Sequence, residues 1–159
     1  MWDARGGFAS PEPIVLEAPP PEAHPELRVG EAGWVWEDEA SELTTNTRVL
    51  LSPNTTHALL GHGVVDELNR LDLELGPVGS GRDALIPQAA IDEASAILYE
   101  ADRKTYGDIW EFPFAEDPGP PLRQLRLRIN NREYQRSLAR LQDLVRGASR
   151  SGFAVRIRI

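Results

Sequence analysis

The last forty residues carry the strongest folding instruction in this chain. LRQLRLRIN (122–130) and FAVRIRI (153–159) alternate apolar residues with arginine, the period-two pattern of a strand with one buried face. Between them, Tyr134, Leu138, Leu141, Leu144, Val145 and Ala148 recur at helical spacing from about Asn131 to Ala148. Arg132, Arg136, Arg140, Arg146 and Arg150 take the opposite side of that helix. They read as the wet side of an amphipathic helix.

A strand, helix and strand in this order normally form a right-handed crossover with both strands parallel in one sheet; an intervening or antiparallel arrangement is the alternative. The crossover puts Leu125, Leu127 and Ile129 on one face with Phe153, Val155, Ile157 and Ile159, against the helix. Arg126, Arg128, Arg156 and Arg158 then stand together on the other face. These four form the first candidate binding site.

Charge makes that grouping conspicuous. Residues 119–159 hold ten arginines against Glu133 and Asp143, a balance of +8, whereas residues 1–118 carry −16, giving −8 overall. Three destinations for the arginine face follow. The first is the acidic early chain, including Glu37, Asp38, Glu39 and Glu42, inside one molecule or across a dimer. The second is a protein partner with an acidic surface, for which the planar arginine fork is suited. The third, ranked last, is nucleic acid, because so acidic a chain repels a polyanion and no aromatic residues interleave the arginines as a stacking platform.

Upstream the pattern is looser. Residues 1–26, with Pro11, Pro13, Pro19, Pro20, Pro21 and Pro25, read as a proline-rich arm of extended character, leaving 27–159 as the domain. In LRVGEAGWVWEDE a short strand places Trp34 and Trp36 on one side, the second candidate binding feature. TRVLLS (47–52) is a strand closed by Pro53 and Asn54. Leu60, Val64, Leu68, Leu71 and Leu75 define one helical face, broken or kinked where Gly61 and Gly63 intervene. GPVGSGRD (76–83) is a connecting loop, Pro87 opens a second helix, and DIWEFPF (108–114) is an edge strand because Pro113 cannot donate to a ladder.

Several classes of chemistry lack support. Cysteine is absent, which removes disulfides, thiolate metal sites and a cysteine nucleophile. No run of eighteen apolar residues occurs, and MWDARGGFAS lacks the order of a secretory signal, so a cytoplasmic protein without a membrane partner is expected. Lys104 is the single lysine among 17 basic residues, a usage that suggests a GC-rich bacterial source. His57 and His62 are five residues apart, about 140° around a helix, and cannot share an ion without a break. His62 and Asp66 lie one turn apart, a spacing open to an acid–base pair but more common on a solvated surface. GPVGSGRD, with Arg82 nearby, has neither the lysine nor the preceding strand of a phosphate loop. No serine lies in a Gly-x-Ser-x-Gly elbow.

One stretch resembles a known family. VLLSPNTTHALL followed by LIPQAAIDEASAIL is similar to the opening of a PIN-type ribonuclease domain, with Asn54 and the Pro87 to Glu93 spacing in matching positions. Ser52 stands where that family has a metal-binding aspartate, and the later acidic pair is missing. The resemblance covers some forty residues and implies a catalytically dead relative, since cleavage there requires carboxylates to hold the cation. It does not assign the chain to that family.

The expectation is one compact α+β domain, a mixed sheet with two or three helices packed mainly on one face and a C-terminal β-α-β unit. Its expected role is binding, as an inhibitor, immunity-type or adaptor protein that engages a protein partner or its own copy through a charged face. No catalytic residue, metal or cofactor is expected. The alternative is an enzyme or degenerate nuclease-like domain acting on a phosphorylated or nucleic-acid substrate, with His57 or His62 moving the proton.

Overall fold

Among the described residues the strands fall into two β-sheets. The computed structural model describes residues 14–17, 30–35, 48–117 and 123–159. In chain order these form β1 (Ile14–Glu17), β2 (Gly30–Val35), β3 (Val49–Leu51), α1 (Pro53–Gly61), α2 (Val64–Leu68) and β4 (Asp83–Ile86). A 3-10 turn, Gln88–Ala90, then leads into α3 (Ile91–Lys104), followed by β5 (Ile109–Asp117), β6 (Arg123–Asn130), α4 (Asn131–Ser151) and β7 (Ala154–Arg158). The first sheet has the order β1-β6-β5, with β1 parallel to β6 and β5 antiparallel. The second is antiparallel throughout, in the order β3-β2-β7-β4. The fold is a single α+β unit ending in β6-α4-β7.

The apolar stripe of α4 organises the core. Tyr134, Leu138, Leu141, Leu144, Val145 and Ala148 are all buried, and they meet Ala58, Leu59, Leu98, Ile129, Val155 and Ile157 in one cluster. The arginines on the other side of α4 are exposed, as the spacing predicts. Asn130 caps the helix by accepting from the Glu133 N–H at 3.1 Å, and Gly152, at φ +75°, ends it in the left-handed conformation that glycine tolerates.

The parallel crossover is not formed. β6 and β7 belong to different sheets: β1 and β5 flank β6, while β2 and β4 flank β7. Both strands have their expected extents and faces; their neighbours differ. β6 passes into α4 without a loop, Asn130 ending one and Asn131 starting the other, and α4 then carries the chain to the second sheet. Period-two patterning chooses a face but leaves the pairing strand open, and here it is settled by the adjacent β5 together with three strands distant in sequence, β1, β2 and β4.

Three upstream expectations are also revised. The predicted helix through Leu75 becomes two short ones, because Gly63 takes φ +79° and re-aims the chain after Gly61. Val64 and Leu68 are buried, but Leu60 and Leu75 end up exposed. β4 was hidden in the reading of residues 76–87 as loop and helix start, since Ala84-Leu85-Ile86 is too short to show a period. Finally, Ile14–Glu17 forms a strand inside the proline-rich stretch, where four residues free of proline suffice for a ladder. The remainder of 1–26 lies outside the described residues. Pro113 behaves as expected: β5 is an edge strand, and its register shifts between Pro113 and Ala115.

Candidate functional site

Each pair of strand arginines is answered inside the molecule. Arg128 donates from Nε and Nη2 to Glu111 Oε1 at 3.1 and 3.0 Å, and Arg126 donates from Nη2 to the Glu111 carbonyl at 3.2 Å. Glu111 and Arg128 are direct cross-strand partners, so the register delivers the pair. In the other sheet Arg158 of β7 donates two bonds, 2.8 and 3.2 Å, to Asp83, its register partner on β4. Arg156 Nε lies 3.8 Å from the same carboxylate. The Arg158 hydrogen bond, aided by the charges of Arg156 and Arg158, holds the Asp83 carboxyl below its ordinary pKa against the opposing effect of burial.

The four-arginine face is therefore not assembled, because its halves sit on separate sheets. Within the β7 half the two differ: the Arg156 side chain keeps 11% exposure, with its register neighbours Leu85 and Gly33 buried, whereas Arg158 keeps 42%. Trp34 occupies an interior strand of the four-stranded sheet, opposite Val155. Trp36 lies outside the described residues, as do Glu37, Asp38, Glu39, Glu42 and His24.

The break between α1 and α2 creates a different site. His62 closes α1 with its N–H donating to the Ala58 carbonyl at 2.9 Å, and Gly63 turns the chain sharply afterwards. Its imidazole is held between two aromatic rings, Trp110 of β5 at 4.0 Å and Tyr134 of α4 at 4.9 Å between centroids, both nearly parallel to it. Phe112 continues the layer beyond Trp110 at 4.9 Å. This stack joins the helices to the three-stranded sheet. Gly61 is required beside it, since a Cβ there would meet the Phe112 ring at 2.6 Å.

Polar atoms are sealed at the edge of the stack. His62 Nε2, Asn131 Oδ1 and the Tyr134 hydroxyl are buried and have no hydrogen-bond partner among the described residues. Burial lowers the pKa of His62, and the adjacent Asn131 side chain pulls more weakly the other way. Burial, with the nearby charge of Asp102, pushes the Tyr134 phenol up. Asn131 uses its amide N–H to hold the Tyr106 carbonyl at 3.1 Å, fixing the turn before β5. His57 is buried and its pKa is likewise lowered by desolvation.

A groove of about 270 Å³ opens beside His62, between α2 and α3. Its walls are Gly63, Val64, Ala96, Ile97 and Ala101, and Glu67, Glu100 and Lys104 also line it. Asp66, one turn from His62, is exposed, in keeping with the solvated-surface reading of that spacing, and is not among the residues lining the groove. A second groove, about 400 Å³, lies on the other side of α3 between Asp92, Ser95, Ala96, Tyr99, Gln142 and Arg146. Gln142 is pinned by donating to the Leu98 carbonyl at 3.1 Å. α3 is thus a ridge between two grooves, and Tyr99 stands on it 59% exposed. The narrow apolar stripe of α3 signals a helix that packs on one side; only packing reveals that the other side is flanked by depressions.

The positions that resemble a PIN-type domain have structural work. Asn54 bridges to the start of α4, donating to the Asn130 carbonyl at 3.0 Å and accepting from the Asn130 N–H at 2.8 Å. Ser52 caps α1 and donates to Glu133 at 2.5 Å, while Thr55 donates to Ser137 at 2.8 Å. Glu93 is exposed on α3, and Asp143 faces Arg146 at 3.6 Å on α4. Among the described residues no three histidine or acidic side chains cluster to hold a metal ion. The GPVGSGRD loop is latched as well: Asn69 bonds both the N–H and the carbonyl of Val78, and the Gly81 N–H reaches the Ile159 carbonyl at 2.9 Å. No helix among the described residues is long and apolar enough to cross a membrane. Comparison with family models, with curated proteins and with solved structures finds no match.

Proposed function

We propose that this chain is an interaction protein, a small cytoplasmic and bacterial inhibitor, immunity-type or adaptor protein, that grips a protein partner with the ridge of α3. The observation that carries the reading is Tyr99, 59% exposed on a ridge with a groove on either side. A rigid, amphipathic aromatic beside depressions is the kind of anchor on which interfaces concentrate binding energy. The strand arginines are not assigned this role, because Glu111 and Asp83 already engage them.

The test is capture of partners from the source cell by wild type, Tyr99→Ala and, as a control away from the ridge, Tyr106→Ala, an 88%-exposed position. The reading expects the same protein with wild type and Tyr106→Ala, and its loss with Tyr99→Ala. Equal capture by all three removes the α3 surface from consideration. Salt-sensitive retention of wild type on heparin or a nucleic-acid column would instead favour a polyanion partner.

A second reading, an enzyme or degenerate nuclease-like domain, draws on one observation: His62, Glu67, Glu100 and Lys104 line the same groove. Against it, the Nε2 of His62 is sealed, so that nitrogen cannot reach a substrate in this geometry. Turnover of a phosphomonoester or single-stranded RNA by wild type, lost in His62→Gln with the fold intact, would revive it.

A further inference from the structure

We propose that the groove between α2 and α3 receives an apolar side chain from a basic segment of the protein partner, with Glu67 and Glu100 engaging that segment's lysine or arginine. This inference rests on the α3 reading above and names the chemistry of the partner.

Size is the first argument. At about 270 Å³ the groove falls just below the roughly 300 to 1,000 Å³ of pockets that enclose a small ligand, and it suits one anchoring side chain. Gly63, Ala96 and Ala101 contribute little side chain of their own, while Val64 and Ile97 supply an apolar wall. The His62 ring is rigid, clamped between Trp110 and Tyr134, so the surface it offers is preorganised.

Charge is the second. Glu67 and Glu100 come from opposite sides of the groove, one on α2 and one on α3. Their ion pairs, with Arg70 at 2.9 Å and Arg103 at 3.5 Å, join residues three apart on exposed helix surface, where such pairs are weak and exchange readily with an incoming cation. Lys104 lies one turn beyond Glu100, so the partner's cation must approach from the Glu67 and Glu100 side. At longer range, the net charge of −8 draws a basic segment and repels an acidic one.

A displayed library of random peptides, selected against the intact protein, tests this. Enriched peptides are then measured on Ala96→Trp, which fills the groove from an exposed position, and on the double variant Glu67→Gln/Glu100→Gln. The expected result is enrichment of a large apolar residue beside lysine or arginine, with affinity falling at least tenfold on Ala96→Trp and several-fold on the double glutamine variant. Unchanged circular dichroism and melting of both variants show that the fold is intact. Peptides that are neutral or acidic, yet lose binding on Ala96→Trp, overturn the basic-segment proposal while leaving the α3 surface standing. Peptides indifferent to Ala96→Trp and to Tyr99→Ala overturn both.

Discussion

β6 and β7 are near copies in sequence, each alternating buried aliphatics with two arginines, yet the molecule treats them differently. On β6, the central strand of the three-stranded sheet, Arg126 and Arg128 keep 26% and 40% exposure beside Glu111 of β5. On β7, Arg156 is nearly enclosed and shares Asp83 with Arg158 inside a four-stranded sheet. The same local pattern thus yields a half-exposed arginine–carboxylate pair in both places, and the difference lies in the second arginine, which is nearly enclosed at Arg156 and less so at Arg126. Arginine on a strand face marks the side turned from the core.

That comparison can be broken or sharpened by experiment. The largest effect should come from the joint between the halves: Tyr134→Ala removes a fully buried ring from the His62 stack and should cost about 3–5 kcal/mol in urea denaturation. Next, Asp83→Asn removes the charge that Arg156 and Arg158 share and should cost about 2 kcal/mol, less than a fully buried pair because Asp83 is partly exposed. Glu111→Gln should cost about 0.5–1 kcal/mol, in the range of surface pairs. Equal losses for these two variants would erase the distinction between the strands. Arg132→Ala, at the exposed pair with Asp108, should change stability by under about 0.5 kcal/mol.

Titrating stability against pH separates the regions further. His57 and His62 hold a proton less tightly when folded, so the unfolded chain takes up protons first as pH falls below the ordinary 6.5. Their neutral forms leave stability intact above that value, and it should decline as pH drops toward their lowered pKa. Asp83 has the other limb: its contribution is complete above the ordinary 3.8 and is lost as pH falls through its depressed value. His62→Gln should flatten the first limb and Asp83→Asn the second, both read from melting temperature.

Much of the fold was legible along the chain. The faces of α4, the extents of β6 and β7, the edge character of β5 at Pro113 and the break at Gly61–Gly63 all follow from local rules of period, proline and glycine. The candidate site was not. His62 was visible only as a lone histidine near two glycines; its neighbours Trp110 and Tyr134 are 48 and 72 residues away, and nothing in their spacing brings them together. β4 was missed because three apolar residues cannot display a period.

By itself, then, the amino-acid order determined which side of each helix and strand meets the core, because side-chain direction repeats every two or 3.6 residues and apolar groups leave water. Only the tertiary structure decided which strands are neighbours, and with that the fate of every charge: Asp83 opposite Arg158, Glu111 opposite Arg128. Pairing across a sheet joins residues far apart in the chain, and a backbone ladder accepts any strand whose register and buried face fit.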